Sequence, residues 1–560
     1  MGRNVLKSSV ENASFSIIFQ VFFRCITFVL NAYIIRTVGQ EILGIMNVRL
    51  LLLESTILFL SKEPILKACL TNTSSRNWAQ VINQIWLSVP ISIVINILLV
   101  YVWIYVLTPI EDKYLHQYIL GCYAVALSCI VEQMSQVVVL VSQNFCFVRL
   151  KVILDTLYVV SRTIIFVYYV ETDPDYPLNA FSLAQIISGV ILCLAYYCFF
   201  IWYIPALNKA KERKQQESKD KNDSKEAKTI FSDMADFPFT SFWQLFPGIM
   251  DNTENMLDTK LCLLTVSFLK QSVVKQVLTE GERYVMTISP VLTFSQQSMY
   301  DIVNNLGSLA ARFIFRPIEE SAYFYFTQMI KRDVVLKNQK EKNISESAEV
   351  LSQLCKIVVT IGLLVVTFGQ AYSYSFLFLY GGYKLVENNL SVILLRFHSF
   401  AIVLLAINGV TEGYVFATMN NQQLDRYNYI MVIFSISFLI ISYLFTYIFG
   451  PVGFILANCI NMTARIVHSL RFISKQYKET KYRPLEGLVP GKKFFLALLI
   501  SGIATRLSEM YILQKSLIIH IGVGAVFFFI TISIWALDNV VILRLALDKF
   551  KERRSSLKVD

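Results

Sequence analysis

KQVLTEGER, Lys275 to Arg283, sits inside an apolar stretch running from about residue 260 to 289, yet it carries a lysine, two glutamates and an arginine. Read as a membrane helix, this stretch is expensive. An ionised side chain at the bilayer centre costs about 2.5–3.5 kcal/mol on insertion scales, so several in one helix must face partners or a water-filled cavity. The segment therefore points to a transport protein whose helices are polar on the inside.

Composition around it agrees. Of 560 residues 55% are hydrophobic and 16% charged, and apolar runs of roughly twenty residues, enough to cross a ~30 Å hydrocarbon core, recur from Ala13 to Leu547. About fourteen such spans are expected. The first is too long for a signal-peptide core and lacks a small-residue cleavage site, so it counts as structure. The longest polar run, Asn208 to Asp236, is rich in Lys, Glu, Asp and Ser and cannot bury enough apolar surface to fold. The expected organisation is an N-terminal lobe of six helices (1–207), a charged linker (208–240), a C-terminal lobe of six helices (241–480), and two extra helices with a basic tail (481–560). The fold class is all-α, polytopic, with two lobes around a central hydrophilic cavity.

Lysines and arginines set the orientation. With the N-terminus cytosolic, the cytosolic segments collect Arg3, Lys7, Lys62, Lys67, Arg149, Lys151, the linker, Lys331 to Lys342, the 471–493 stretch and the tail, while Glu171, Asp173 and Asp175 make one opposite loop acidic. The positive-inside rule then places both termini and the linker in the cytosol. The net charge of +11 is this bias spread over loops, not a basic face for nucleic acid. The ten cysteines show no C-x-x-C and the four histidines no ligand spacing, so neither a disulfide scaffold nor a zinc site is indicated. Gly487 to Lys493 has one residue too few between its glycines and lacks the Ser/Thr of a phosphate loop. No catalytic motif is found, and no cofactor is called for.

Polar stripes at helical spacing remain. Gln20, Arg24, Thr27 and Asn31 share a face of the first span; Gln276, Glu280 and Arg283 one of the seventh; Asp301, Asn305, Ser308, Arg312 and Glu319 one of the eighth, where Pro317 should kink the helix. Asn408, Thr411 and Glu412, and Asn458, Asn461, Arg465 and His468, form two more. Gln40-x-Ile42-x-x-Ile45-x-Asn47 recurs as Gln297-x-Met299-x-x-Ile302-x-Asn304, a faint echo between the lobes. Interhelical pairing of these groups, worth ~0.6 kcal/mol each, is the alternative to a hydrophilic cavity built on inverted or repeated bundles.

The segments NVRLLLLESTILFLSKE (47–63), SFLKQSVVKQVLTEGERYVMT (267–287), YDIVNNLGSLAARFIFRPIEES (300–321), NGVTEGYVFATMNNQQLDRYN (408–428) and GPVGFILANC (450–459) closely resemble the Rft family, endoplasmic-reticulum proteins linked to translocation of dolichol-linked oligosaccharide. The resemblance runs from about Phe19 to about Glu486. This family is similar in turn to the multidrug/oligosaccharidyl-lipid/polysaccharide exporters, whose lipid II flippases have fourteen helices in two lobes. The resemblance implies a dolichol-linked oligosaccharide as partner, a heptasaccharide of five mannoses and two N-acetylglucosamines on a diphosphate, moved without ATP from the cytosolic to the lumenal leaflet before protein N-glycosylation. Arg24, Arg36 and Arg283, then Lys62 and Arg312, are the candidate diphosphate partners, because a guanidinium stays ionised and matches phosphate oxygens bidentately. Glu280 and Glu319 would orient the arginines, and Asn31, Asn304 and Asn305 would hydrogen-bond sugar hydroxyls. An accessory protein of the same pathway, bound to membrane lipids and its enzymes, is the second reading. A membrane glycosyltransferase is the third, disfavoured because the non-cytosolic loops are too short for an ordered acidic site.

Overall fold

A helix whose surroundings are hydrocarbon turns its polar residues inward, and Trp78–Val106 does so. Ser88, Ser92 and Asn96, spaced by four, are buried, while Ile91, Val94, Ile97, Leu98 and Tyr101 are exposed. Asn96 donates to Ser92 at 3.1 Å, so the buried stripe bonds to itself instead of to water. Asn421–Phe449 repeats the pattern, with Ser442 and Thr446 buried and Ile433, Ile436, Ile440 and Leu444 exposed. These outward faces suit lipid, not water.

The computed structural model describes residues 23, 25–70, 77–107, 109–145, 147–217, 237–250, 255–288, 291–332 and 334–540. Arg24, residues 218–236 of the linker and the tail from 541 lie outside them. The described residues are helical with connecting turns and contain no strand. In chain order the longer helices are α1 (Cys25–Thr37), α2 (Gln40–Leu70), α3 (Trp78–Val106), α4 (Asp112–Met134), α5 (Gln136–Asn144), α6 (Val148–Thr172), α7 (Pro177–Glu217) and α8 (Thr259–Ile288). There follow α9 (Phe294–Ala310), α10 (Arg316–Met329), α11 (Glu341–Gly381), α12 (Leu390–Thr418), α13 (Asn421–Phe449), α14 (Val452–Tyr477), α15 (Lys492–Tyr511) and α16 (Leu517–Asp538).

Among the described residues nine helices are long and apolar enough to cross a membrane, or ten if α8 is one bent span. Two further apolar runs fall outside that count. α6 carries Arg149, Lys151, Asp155, Arg162 and Glu171 along its length, and the run at 296–330 divides into α9, a π-helical turn at Ala311–Phe315, and α10. The irregular turn lies just before Pro317, in the first turn of α10. Proline has no N–H for the preceding turn and its ring crowds the carbonyl four residues back, so the helix widens there.

Contacts divide the chain into two units, Met1–Pro290 and Val291–Asp560. In the first, α7 packs on α4 and α6, and α8 lies along α2; the sequence reading groups α8 with 241–480 instead. The chain re-enters this unit after the linker through Phe237 and Phe239, which stack edge-on against Phe145 and Trp78. Asn208 donates to the Thr240 carbonyl at 2.6 Å, so the linker leaves and returns at neighbouring points. In the second unit α12 packs on both α11 and α14, and α15 with α16 leans on α11. The α13–α14 turn explains the GPVG of its sequence. Gly450 has φ +61°, and a Cβ on Gly453 would sit 2.3 Å from the Phe445 carbonyl carbon.

Candidate functional site

The charged stretch of α8 faces α2. The helix bends by 62° between Thr259–Val277 and Thr279–Ile288, within KQVLTEGER itself. Gln276 donates to Ser55 Oγ at 3.2 Å and to Tyr284 Oη at 3.3 Å, Ser55 donates to Glu280 at 3.3 Å, and Thr56 and Tyr284 share a 2.7 Å bond. Arg283 Nη1 lies 3.2 Å from Glu280 Oε2, with 27% of its side chain exposed. Lys275 reaches Glu63 at 3.6 Å, and Lys67 reaches the same carboxylate at 3.0 Å. A broken membrane helix lined by charge is the arrangement that transporters place at substrate sites.

Lys62, one residue before Glu63, turns the other way and pairs with Glu132 of α4 at 2.9 Å. Behind it lies a buried cluster drawn from several helices. Glu54 accepts from Gln185 at 2.8 Å and from Tyr158 at 3.0 Å, and Arg162 approaches it at 3.5 Å while donating to Gln185 Oε1 at 3.2 Å. The sequence signal is a lone glutamate among leucines and, on α6, Asp155, Tyr158 and Arg162 at i, i+3 and i+7, a polar stripe absent from those named above. Asn31 and Arg36 are exposed on α1.

In the second unit Glu412 is a buried carboxylate. It pairs with Arg465 at 2.5 Å, accepts from Tyr427 at 2.7 Å and from Asn408 at 3.0 Å. The stripes on the tenth and twelfth spans thus meet each other. Glu319 comes down beside them: a Cβ on Gly409 would lie 3.0 Å from its Oε2, and one on Gly413 3.4 Å from its Cγ. The two glycines of NGVTEG make room for this carboxylate. It lines a cavity of about 320 Å³ with Glu320, Tyr323, Arg332 and Phe416. Asn305 is exposed and donates to Asp301 at 3.2 Å, and Asn304 is half-buried. The Arg312 side chain, like Arg24, lies outside what is described. Of the predicted residues, therefore, Glu280 and Arg283 meet directly in the first unit; Glu319 lies beside the Glu412 cluster in the second.

The sequence profile of the family described as Rft protein matches residues 8–549. The chain belongs to the Rft protein family. A relative from Drosophila melanogaster, named Man(5)GlcNAc(2)-PP-dolichol translocation protein RFT1, is 48% identical over 98% of both chains. Its namesake from Xenopus tropicalis is 39% identical over 95% of both. Among solved structures the lipid II flippase MurJ, in an inward closed conformation, superposes with a TM-score of 0.57 at 12% identity, covering 94% of this chain and 99% of that one. Rft membership is thus joined to a helical fold like that of MurJ, and the five sequence segments that carry the resemblance include the α8 bend and the place where Glu319 lies against Gly409 and Gly413. The chain is a multi-pass membrane protein.

Proposed function

We propose that the chain is an intramembrane glycolipid translocator, moving dolichyl-diphosphate-linked heptasaccharide (five mannose, two N-acetylglucosamine) from the cytosolic to the lumenal leaflet of the endoplasmic reticulum. The observation that carries this is identity of 48% across 98% of a protein named for that translocation. Physics gives the task its shape. A long sugar and a diphosphate cannot enter hydrocarbon unaided, whereas the polyprenyl tail need not leave it. About fourteen spans in two lobes around a hydrophilic cavity, with both termini cytosolic, would let the head group cross while the tail stays in lipid.

Arg24, Arg36, Lys62, Arg283 and Arg312 are the proposed diphosphate partners in this reading. Arg283, beside Glu280 and a quarter exposed, presents a guanidinium whose planar fork suits a phosphate oxygen. Asn31, Asn304 and Asn305 would serve sugar hydroxyls, and Glu319 would orient a neighbouring cation. The test is purified protein in sealed vesicles carrying labelled oligosaccharide-lipid in one leaflet. Protein-dependent appearance of label in the other leaflet is the expected result. Label that stays put, with protein folded and correctly inserted, would turn the reading to an accessory role in the same pathway.

A further inference from the structure

At one end of the second unit, where α11 and α15 finish and α12 and α16 begin, lies a cavity of about 730 Å³ whose lining includes Arg396, Arg506, Glu509, Asn389, Tyr374 and Gln514. Its charges do not balance. Glu509 bridges the two guanidiniums, with Oε1 accepting from Arg396 and Oε2 from Arg506, so two cations share one carboxylate. Arg396 is also fixed by donating from Nε to the Gln370 carbonyl at 2.9 Å, while Gln370 Nε2 returns a bond to the Arg396 carbonyl at 3.0 Å. Arg506 is looser, its side chain about half exposed against 10% for Glu509.

A second feature of the same wall attracts an anion. α12 starts at Leu390 behind Asn389, which has φ +54° and caps no backbone N–H with its side chain. The free N–H groups of a 29-residue helix carry partial positive charge toward the end where Asn389 lines the cavity. The rest of the wall is apolar, including Phe378, Ile393, Met510, Leu513 and Leu517. Ile393 and Met510 are also exposed, so this apolar wall is accessible to a chain entering the cavity.

We propose that this cavity binds the phosphate head of a lipid, with Arg506 and Arg396 holding the phosphate oxygens, Glu509 tuning the affinity by competing for the same donors, and the apolar wall covering the first carbons of the chain. A free phosphate would leave that wall unused, and a neutral lipid would leave the excess cation unused. The site stands whether or not the chain translocates glycolipid.

The test is thermal unfolding of the full chain in a zwitterionic detergent, titrated with short-chain phosphatidic acid, with the matching diacylglycerol, and with inorganic phosphate. The expected result is a rise in unfolding temperature with phosphatidic acid alone. The half-effect concentration should be at least tenfold higher for Arg506→Gln and several-fold lower for Glu509→Gln, in which the competing carboxylate is gone. An equal rise with inorganic phosphate would mean a free-anion site, and an equal rise with diacylglycerol a merely apolar one; either overturns the proposal. So does an Arg506→Gln protein that responds like the parent. If Arg506→Gln loses its unfolding transition, Glu509→Gln decides, because a purely structural ion bridge predicts weaker binding on its removal and the proposal predicts tighter.

Discussion

Two arginines in this chain make opposite predictions because their surroundings differ. Arg465 serves a carboxylate that is only 5% exposed and already holds Tyr427 and Asn408. Removing one partner of such a buried pair costs roughly 3–5 kcal/mol, so Arg465→Ala should lower the amount of inserted protein. The double change Arg465→Met with Glu412→Leu should restore much of it, since the uncompensated charge is gone; immunoblots of membrane fractions read this directly. Arg283 is paired with a residue three positions away and keeps 27% of its side chain exposed. Arg283→Ala should leave abundance unchanged. If it contacts the diphosphate, transport should fall by about 10- to 100-fold, the equivalent of one charge-assisted bond of about 1.5–3 kcal/mol. Arg283→Lys should recover part of that, keeping charge without the planar fork. Loss of protein in Arg283→Ala would return it to the structural role that Arg465 has.

Among elements, what could be read in advance was whatever repeats along one helix. The stripe on α8 was legible because Gln276, Glu280 and Arg283 share a face, and the Asn408–Glu412 and Arg465–His468 stripes likewise, although nothing in either said that they meet. The cluster around Glu54 was not legible, because its members come from α2, α4, α6 and α7: Tyr158 and Arg162 share a face of α6, but only tertiary packing brings them to positions 54, 128 and 185. The Arg396–Glu509 bridge was hidden for the same reason. Glycines show a related gap between pattern and cause. Gly450→Ala meets nothing within 4 Å, but its φ of +61° with ψ of −145° is a backbone region essentially reserved for glycine, a strain of about 1–3 kcal/mol. Gly453→Ala drives a methyl into backbone at 2.3 Å, which must move α13 against α14 and should cost more than the ~1–3 kcal/mol of ordinary overpacking. Gly522→Ala, with open space around it, should be neutral or gain up to ~1 kcal/mol of helix propensity. Unfolding temperatures in that order, 453 lowest and 522 highest, are expected. The linker is an element of another kind. Because Lys211 donates to the Phe237 carbonyl at 3.4 Å and α7 continues from there to Glu217, only about 9 Å further at 1.5 Å per helical residue, residues 218–236 bridge a short distance, and halving their number changes closure entropy by only ~0.6 kcal/mol. Function should survive the shortening at normal abundance; its loss would mark the segment as a partner site.

For the whole molecule, orientation is the property on which every leaflet assignment depends, and it rests on charge statistics of loops. Lysine and arginine gather at the helix ends and loops that carry Lys331, Arg332, Lys475 and Lys481, whereas Glu171 ends α6 and Asp173 and Asp175 follow it in the α6–α7 turn. Asp173 and Glu479 are both exposed at turns and should therefore lie on opposite sides. In sealed microsomes with the cytosolic face outward, Glu479→Cys should react with a membrane-impermeant maleimide at once, and Asp173→Cys only after permeabilisation, each measured above the unsubstituted protein. Asn222 in the linker should also carry no glycan although it begins the sequon Asn-Asp-Ser. Reversed labelling, or a glycan on Asn222, would place the linker in the lumen. The α11–α12 and α15–α16 turns would then be cytosolic, and the direction proposed for the glycolipid could no longer be argued from the basic loops.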